Sequence, residues 1–320
     1  MERFLNWYAG LRPSFQWAGG ALALAAVASL CALGWRSFSY HADVRAQAPL
    51  LDRIHALEQG LDSSIAGAGA TPERAARVHR LLAAERKLFR IRARLEPADR
   101  APTYRDSLGA DVQGILEELG KTGFVIPESF IRSVREEIGG FTKAGGRATL
   151  ERCFARKPRF ESLILAELKR KRLPPEFLYI AMQESLLDSA AQSGNEARGL
   201  WQMMPETARE FGMRVPDDWK AKPARLDPRT RPRPATRAAA EYLRALSAEF
   251  GDPALCMAAY NAGAGKMRKS LRGPGDPDSG RDYWFLYRMG MMSPETREYV
   301  PKIIAMILID RNRARYGFGG

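Results

Sequence analysis

A chain of 320 residues, 45% of them hydrophobic, can build a sizeable core in one or two domains, which excludes a wholly disordered protein. The formal charge of +13, carried mainly by arginine, points to an acidic partner such as nucleic acid, an anionic membrane surface or an acidic polymer; an arginine-rich composition is the plainer alternative. Three widely spaced cysteines, Cys31, Cys153 and Cys256, exclude a disulfide framework and a thiolate metal signature, and are expected to be buried and free, with a Cys153 to Cys256 bridge as the alternative.

A short segment, 1–16, precedes "WAGGALALAAVASLCALGW" at 17–35, an uncharged run bracketed by Trp17 and Trp35. As a helix it would span about 28 Å, close to the hydrocarbon thickness of a bilayer, with a tryptophan for each interface. The run predicts a membrane anchor, a cleaved signal peptide being the alternative. Cys31 follows a bulky leucine, which argues against a lipidation site. Arg3 and Arg12 before the run and Arg36 and Arg45 after it leave its orientation undecided by charge.

Residues 42–96 carry apolar positions at Leu51, Ile54, Leu57 and Leu61, then at Val78, Leu81, Leu82, Leu88, Ile91 and Leu95. Both sets have helical spacing, and between them Thr71 can cap and Pro72 can open the second helix. The expectation is a helical hairpin, either a stalk reaching partners such as cell-wall or secretion machinery, or a pair packed on the rest of the chain. "EPADRAP" at 96–102 reads as a linker. From 103 to 320 the pattern stays helical, cut by glycine and proline: one helix ends on Gly120, one runs from Pro127 to Gly139, and one from Lys157 is stopped by Pro174. Long β-branched runs are absent, so the fold class is all-α with at most a small hairpin.

Histidine occurs only at His41, His55 and His79, which leaves the C-terminal domain without a histidine-dependent nucleophile or zinc site. "NAGAGK" at 261–266 lacks the spacing of a phosphate loop. Proton chemistry therefore falls to carboxylates. In "LYIAMQESLLD" (178–188), helical spacing puts Glu184 on one face with Phe177, Ile180, Ala181, Leu187 and Asp188. A glutamate at its reference pKa is protonated about once in 500 at pH 7, and an apolar face raises that fraction. A helix-closing or ion-paired glutamate is the structural alternative.

Four ordered motifs decide between these: "ES" at Glu184 and Ser185, "RGLWQMMPETA" with Gln202, "AAYNAGAGK" with Tyr260 and Asn261, and "SPETREYVPKI" with Tyr299. Together they resemble the motifs of the family 1 lytic transglycosylases, closest to the membrane-bound branch, over about residues 125–310. The resemblance implies a lysozyme-like α fold at 103–320 that cleaves the β-1,4 bond between N-acetylmuramic acid and N-acetylglucosamine in peptidoglycan. Glu184 would protonate the glycosidic oxygen and then deprotonate the muramoyl 6-hydroxyl, giving a 1,6-anhydro end without water, cofactor or metal. Ser185 would lie beside the acid, Gln202 would bind sugar, Tyr260 and Tyr299 would line the site, and Asn261 would take an N-acetyl group; each has a structural alternative as a cap or a satisfied core polar group. Asp188 and Glu206 are expected to be caps or polar anchors. The pattern departs from the family at Leu186, Leu187 and Ser189, which stand where glycine, phenylalanine and proline are usual, at Glu196, which replaces a small residue, and in the proline- and arginine-rich segment 213–235. The implied location is the bacterial inner membrane, single-pass, with 36–320 in the periplasm against glycan strands. A hydrolytic muramidase and a non-catalytic wall-binding scaffold remain as rivals; nucleic-acid binding explains none of the motifs.

Overall fold

The structure, a computed structural model, describes residues 13–62, 71–100, 102–104, 106–121, 123–221, 226–272 and 282–319, the side chains of 13–23 and 221 excepted. Helix α1 (Pro13–Asp62) is followed by α2 (Pro72–Arg92), whose start is capped by Thr71 accepting the Arg74 N–H at 3.2 Å, with Pro72 at the first helical position. The two helices pack on each other, with Leu51, Ile54, Leu61, Val78, Leu81, Leu88, Ile91 and Leu95 buried and Leu57 and Leu82 partly so. The open end of the pair is fastened by Arg94 on Asp43 at 2.9 Å. The 96–102 linker holds a single 3-10 turn, Pro97–Asp99.

The hairpin does not stand apart. Leu61, Val78 and Leu81 belong to the same apolar core as Phe130, Phe177 and Ile303, so the boundary expected near 103 is crossed by packed side chains. A buried charge cluster crosses it too. Arg288, 2% exposed, donates to Glu58 at 2.7 Å, to Glu85 at 2.7 Å and to the Val125 carbonyl at 2.7 Å. Arg74 returns a bond to the Arg288 carbonyl at 2.7 Å. A buried guanidinium holds its geometry only when its donors are matched, and here two of the acceptors are hairpin carboxylates.

Helix α3 (Ser107–Glu118) stops before Gly120, as its sequence suggests. Helix α4 (Glu128–Thr142) runs on through Gly139, where a stop was expected, because continuing it buries Phe141, which outweighs about 1 kcal/mol of glycine cost per residue. Helix α5 (Ala144–Arg170) begins well before Lys157 and carries Pro158 inside, with one buried face, Cys153, Phe154, Phe160 and Ile164, on either side of the proline. At the α4–α5 turn a Cβ on Gly146 would lie 2.1 Å from the Gly140 carbonyl oxygen, so Gly146 serves close approach, whereas Gly139, Gly140 and Gly145 have open space around them.

Next come α6 (Leu178–Ser185), α7 (Pro205–Glu210), α8 (Pro232–Phe250), α9 (Pro253–Ala262), α10 (Ala264–Leu271), α11 (Tyr283–Met289) and α12 (Pro294–Arg311). Helix α12 is the centre of the domain, with Val300, Ile303, Ile304 and Ile307 fully buried against α4, α6 and α9. Among the described residues there is no strand, only isolated bridges Gln192–Arg198 and Arg198–Met203, so the chain is all-α. Cys153 and Cys256 are free and buried; Cys31 is free but exposed. Among the described residues no helix is long and apolar enough to cross a membrane. The 17–35 run lies within α1, and its residues 17–23 fall outside the described side chains.

Candidate active site

Pro174 and Pro175 start a 3-10 turn that leads into α6, which lasts only to Ser185 because Leu186 takes the left-handed conformation (φ 52°) and returns its N–H to Met182 at 2.9 Å. Leu187 is left-handed as well, at φ 55°. The chain thus leaves the helix immediately after Glu184 and Ser185. This corrects the face expected from helical spacing: Leu187 drops into the core, and Asp188, not one turn on from Glu184, pairs with Arg156 at 3.0 Å. Left-handed geometry costs a branched residue about 1–2 kcal/mol, and the position where glycine is usual in the resembling family, 186, is the one that needs it.

Glu184 sits at this turn with one oxygen held. The Tyr299 hydroxyl donates to its Oε1 at 2.6 Å, and among the described residues no protein donor reaches its Oε2. Burial pushes the Glu184 carboxyl up to about 7; the Tyr299 bond pulls it down and the charge of Glu295 pushes it up, both less strongly. Tyr299 is itself buried and faces Glu184, which raises its hydroxyl far above the ordinary tyrosine range, so it remains a donor. A carboxyl half protonated near neutrality, with a free oxygen, can give a proton and take one back. Since the Tyr299 bond favours the anion, Tyr299→Phe should lower the rate and move the alkaline limb of kcat/KM to higher pH. An unmoved or acid-shifted limb in a pH–rate profile would sink that assignment.

The other predicted residues converge on a backbone. In the loop 198–204 three consecutive carbonyls are each taken by a side chain: Gly199 by Gln202 Nε2 at 2.9 Å, Leu200 by Ser185 Oγ at 2.8 Å, and Trp201 by the Tyr260 hydroxyl at 2.7 Å. Gln202 Nε2 also reaches the Ala191 carbonyl at 3.2 Å, and Gln202 itself is left-handed at φ 45°. Ser185 and Tyr260 therefore tie the loop to the helix that carries Glu184 and to α9, and their polar atoms face backbone. The Trp201 indole N–H is fixed on Thr236 at 3.1 Å. Asn261 sits apart, donating to Glu295 at 3.3 Å and accepting from Thr296 at 2.8 Å, at the edge of a cavity of about 200 Å³ shared with Lys266, Met291 and Met292. His41, His55 and His79 lie on the hairpin helices, away from these motifs.

One contributor is invisible to motif reading. Arg229, fully buried, donates to the Met203 carbonyl at 3.0 Å and the Glu196 carbonyl at 2.7 Å. It is anchored by Asp227 at 2.8 Å, and its guanidinium lies 4.5 Å from the Trp219 ring centre. Burial raises the Asp227 carboxyl, but hydrogen bonds from Arg229 and the charges of Arg229 and Arg198 outweigh it and hold it below the usual range. Gly199, at φ 80°, passes so close that a Cβ there would meet the Arg229 carbonyl oxygen at 1.9 Å. The arginine-rich segment noted at 213–235 was the only sequence signal for this support.

Residues 161–281 match the family described as "Transglycosylase SLT domain". "Membrane-bound lytic murein transglycosylase D" of Escherichia coli (strain K12) is 32% identical over 155 residues, 48% of this chain and 32% of that protein. The chain thus spans about a third of the length of the Escherichia coli relatives it matches. Among solved structures, the lytic transglycosylase Slt from Pseudomonas aeruginosa is 26% identical with a TM-score of 0.38, over 50% of this chain and 26% of that one. The 70 kDa soluble lytic transglycosylase from Escherichia coli is 19% identical with a TM-score of 0.40, over 89% and 46%.

Proposed function

From a transglycosylase SLT domain at residues 161–281, we propose that the protein is a peptidoglycan lytic transglycosylase with a lysozyme-like domain and Glu184 as its sole acid and base. The observation that carries the reading is the Glu184–Tyr299 pair: a carboxyl raised to about 7, oriented through one oxygen and open at the other. Protonated Glu184 gives its proton to the oxygen linking N-acetylmuramic acid to N-acetylglucosamine, and the C1–O bond breaks. The resulting carboxylate takes the proton of the muramoyl 6-hydroxyl, whose oxygen closes on C1. Glu184 ends protonated as it began, the product is a 1,6-anhydro ring, and no water is consumed. One carboxyl serves both steps because it is poised between its two states, whereas most glycosidases divide the work between two. Gln202, its Oε1 free of protein donors among the described residues, and Asn261 bind sugar hydroxyl and acetamido groups.

The location follows from the same substrate. Leu24, Leu30 and Trp35 stand 73%, 68% and 72% exposed on α1, an apolar surface that water disfavours and a bilayer covers. We place 17–35 in the bacterial inner membrane and 36–320 in the periplasm, where the basic surface meets stem-peptide carboxylates and anionic lipid. Mass spectrometry of muropeptides released from purified sacculi by the full chain tests the reaction, with anhydro-muropeptides expected. Reducing ends would instead assign a muramidase; binding without release would assign a wall-binding scaffold.

A further inference from the structure

We propose that Arg229 is a positioning residue for the sugar-binding loop, and that it makes up for the departure of this chain from its family at Glu196. The inference rests on the reading of Gln202 as a sugar-binding group. Four neighbouring carbonyls of the loop, those of Gly199, Leu200, Trp201 and Met203, are held by side chains from four different places in the chain: Gln202, Ser185, Tyr260 and Arg229. The first three sit within the recognised motifs. The fourth comes from the proline- and arginine-rich segment, which lies within the resemblance but between the four motifs.

The two carbonyls that Arg229 binds, Glu196 and Met203, lie on opposite limbs of the loop, and Met203 adjoins Gln202. The guanidinium therefore cross-braces the loop beneath its sugar-facing tip. Glu196 needs the brace because it is a non-glycine residue at φ 73°, in a region that favours glycine. Its carbonyl is taken by Arg229, and its carboxylate pairs with Lys220, next to the Trp219 that stacks on Arg229. Two bridges, Gln192–Arg198 and Arg198–Met203, stiffen the same loop, and Arg198 joins the cluster through Asp227 at 3.1 Å and the other contact of its guanidinium, 4.6 Å from the Trp219 ring centre. A glycine at 196 would remove the strain; this chain instead keeps the strain and fixes it with a planar, multiply bonded cation that lysine cannot imitate.

Steady-state kinetics of the full chain on solubilised glycan strands test this with Arg229→Lys. Loss of the two carbonyl bonds should raise KM about tenfold, leave kcat within about twofold, and leave the pH limb of Glu184 in place. Adding Glu196→Gly, which relaxes the strained residue, should recover a large part of the KM loss. Native-state hydrogen exchange gives a second readout that does not depend on catalysis: in Arg229→Lys the amides of 198–203 should lose protection while those of α8 and α12 keep it. An unchanged KM, a fall in kcat with an acid- or alkaline-shifted limb, or loss of protection throughout the molecule would each overturn the proposal. If the wild type releases no anhydro product, the proposed reaction fails, while glycan binding and exchange still decide the role of Arg229.

Discussion

Glu184→Gln should reduce release of anhydro-muropeptides from sacculi by about 10²–10⁴-fold, since one side chain is asked to supply both proton transfers. The same change should make the protein more stable. Burial holds the folded carboxyl at about 7, above its ordinary 4.5, so the folded state keeps a proton that the unfolded chain releases as pH rises. A raised carboxyl carries no penalty below pH 4 to 5, loses stability through the interval up to about 7, and stays at its full cost above it. Glutamine has no charge to desolvate and can still accept the Tyr299 bond. Its advantage should be near zero at pH 4.5 and on the order of 1–3 kcal/mol at pH 8. Urea unfolding of both proteins at the two pH values checks this; equal differences at both would mean that burial does not set the Glu184 carboxyl.

Arg288→Ala should cost about 3–5 kcal/mol, because it strands Glu58 and Glu85 in the interior without a partner. Burial already pushes the Glu58 carboxyl up to about 7 even with Arg288 in place. Arg288→Met combined with Glu58→Gln and Glu85→Gln should therefore be far milder than Arg288→Ala alone, since no charge is left behind. For the same reason a fragment of residues 103–320 should fail to unfold cooperatively. It would lack Leu61, Val78 and Leu81 from the shared core and both carboxylates of Arg288. A fragment with a sharp denaturant transition would show that the hairpin is dispensable and refute this account of the domain boundary.

Helical spacing made the hairpin legible down to its individual buried leucines, and composition made the all-α class legible, because both depend on local periodicity. What periodicity cannot express is what a helix packs on. Leu61 and Leu81 look alike in a hairpin that stands alone and in one that shares a core, and only the position of Arg288, more than 200 residues away, separates the two. Glu184 and Tyr299 were singled out by separate motifs, and the structure brings the two side chains together. Asp188 was misplaced because spacing assumes that the helix continues, while Leu186 ends it through a left-handed turn that its side chain does not announce. Ser185, Gln202 and Tyr260 were singled out from motifs, yet their observed bonds run to the backbone of one loop. Motifs mark position without saying which atom is used. Arg229 escaped because the loop atoms it holds, the Glu196 and Met203 oxygens, are carbonyls, which have no signature in a sequence.

Helix α1 runs unbroken from Pro13 to Asp62, and its second half is clamped into the core by Glu58. Were 17–35 held in a bilayer, as proposed, the stretch of α1 from 36 to 62, about 40 Å long as a helix and carrying Pro49, would leave the membrane already packed on α2 and the core. That packing, from Asp43 onward, would leave little freedom to swivel. The Glu184 site would then travel at one height above the membrane, and its search for glycan would become a sweep in two dimensions by lateral diffusion. Strands within that layer would be within reach, and those beyond it would not, however strongly the site would bind them.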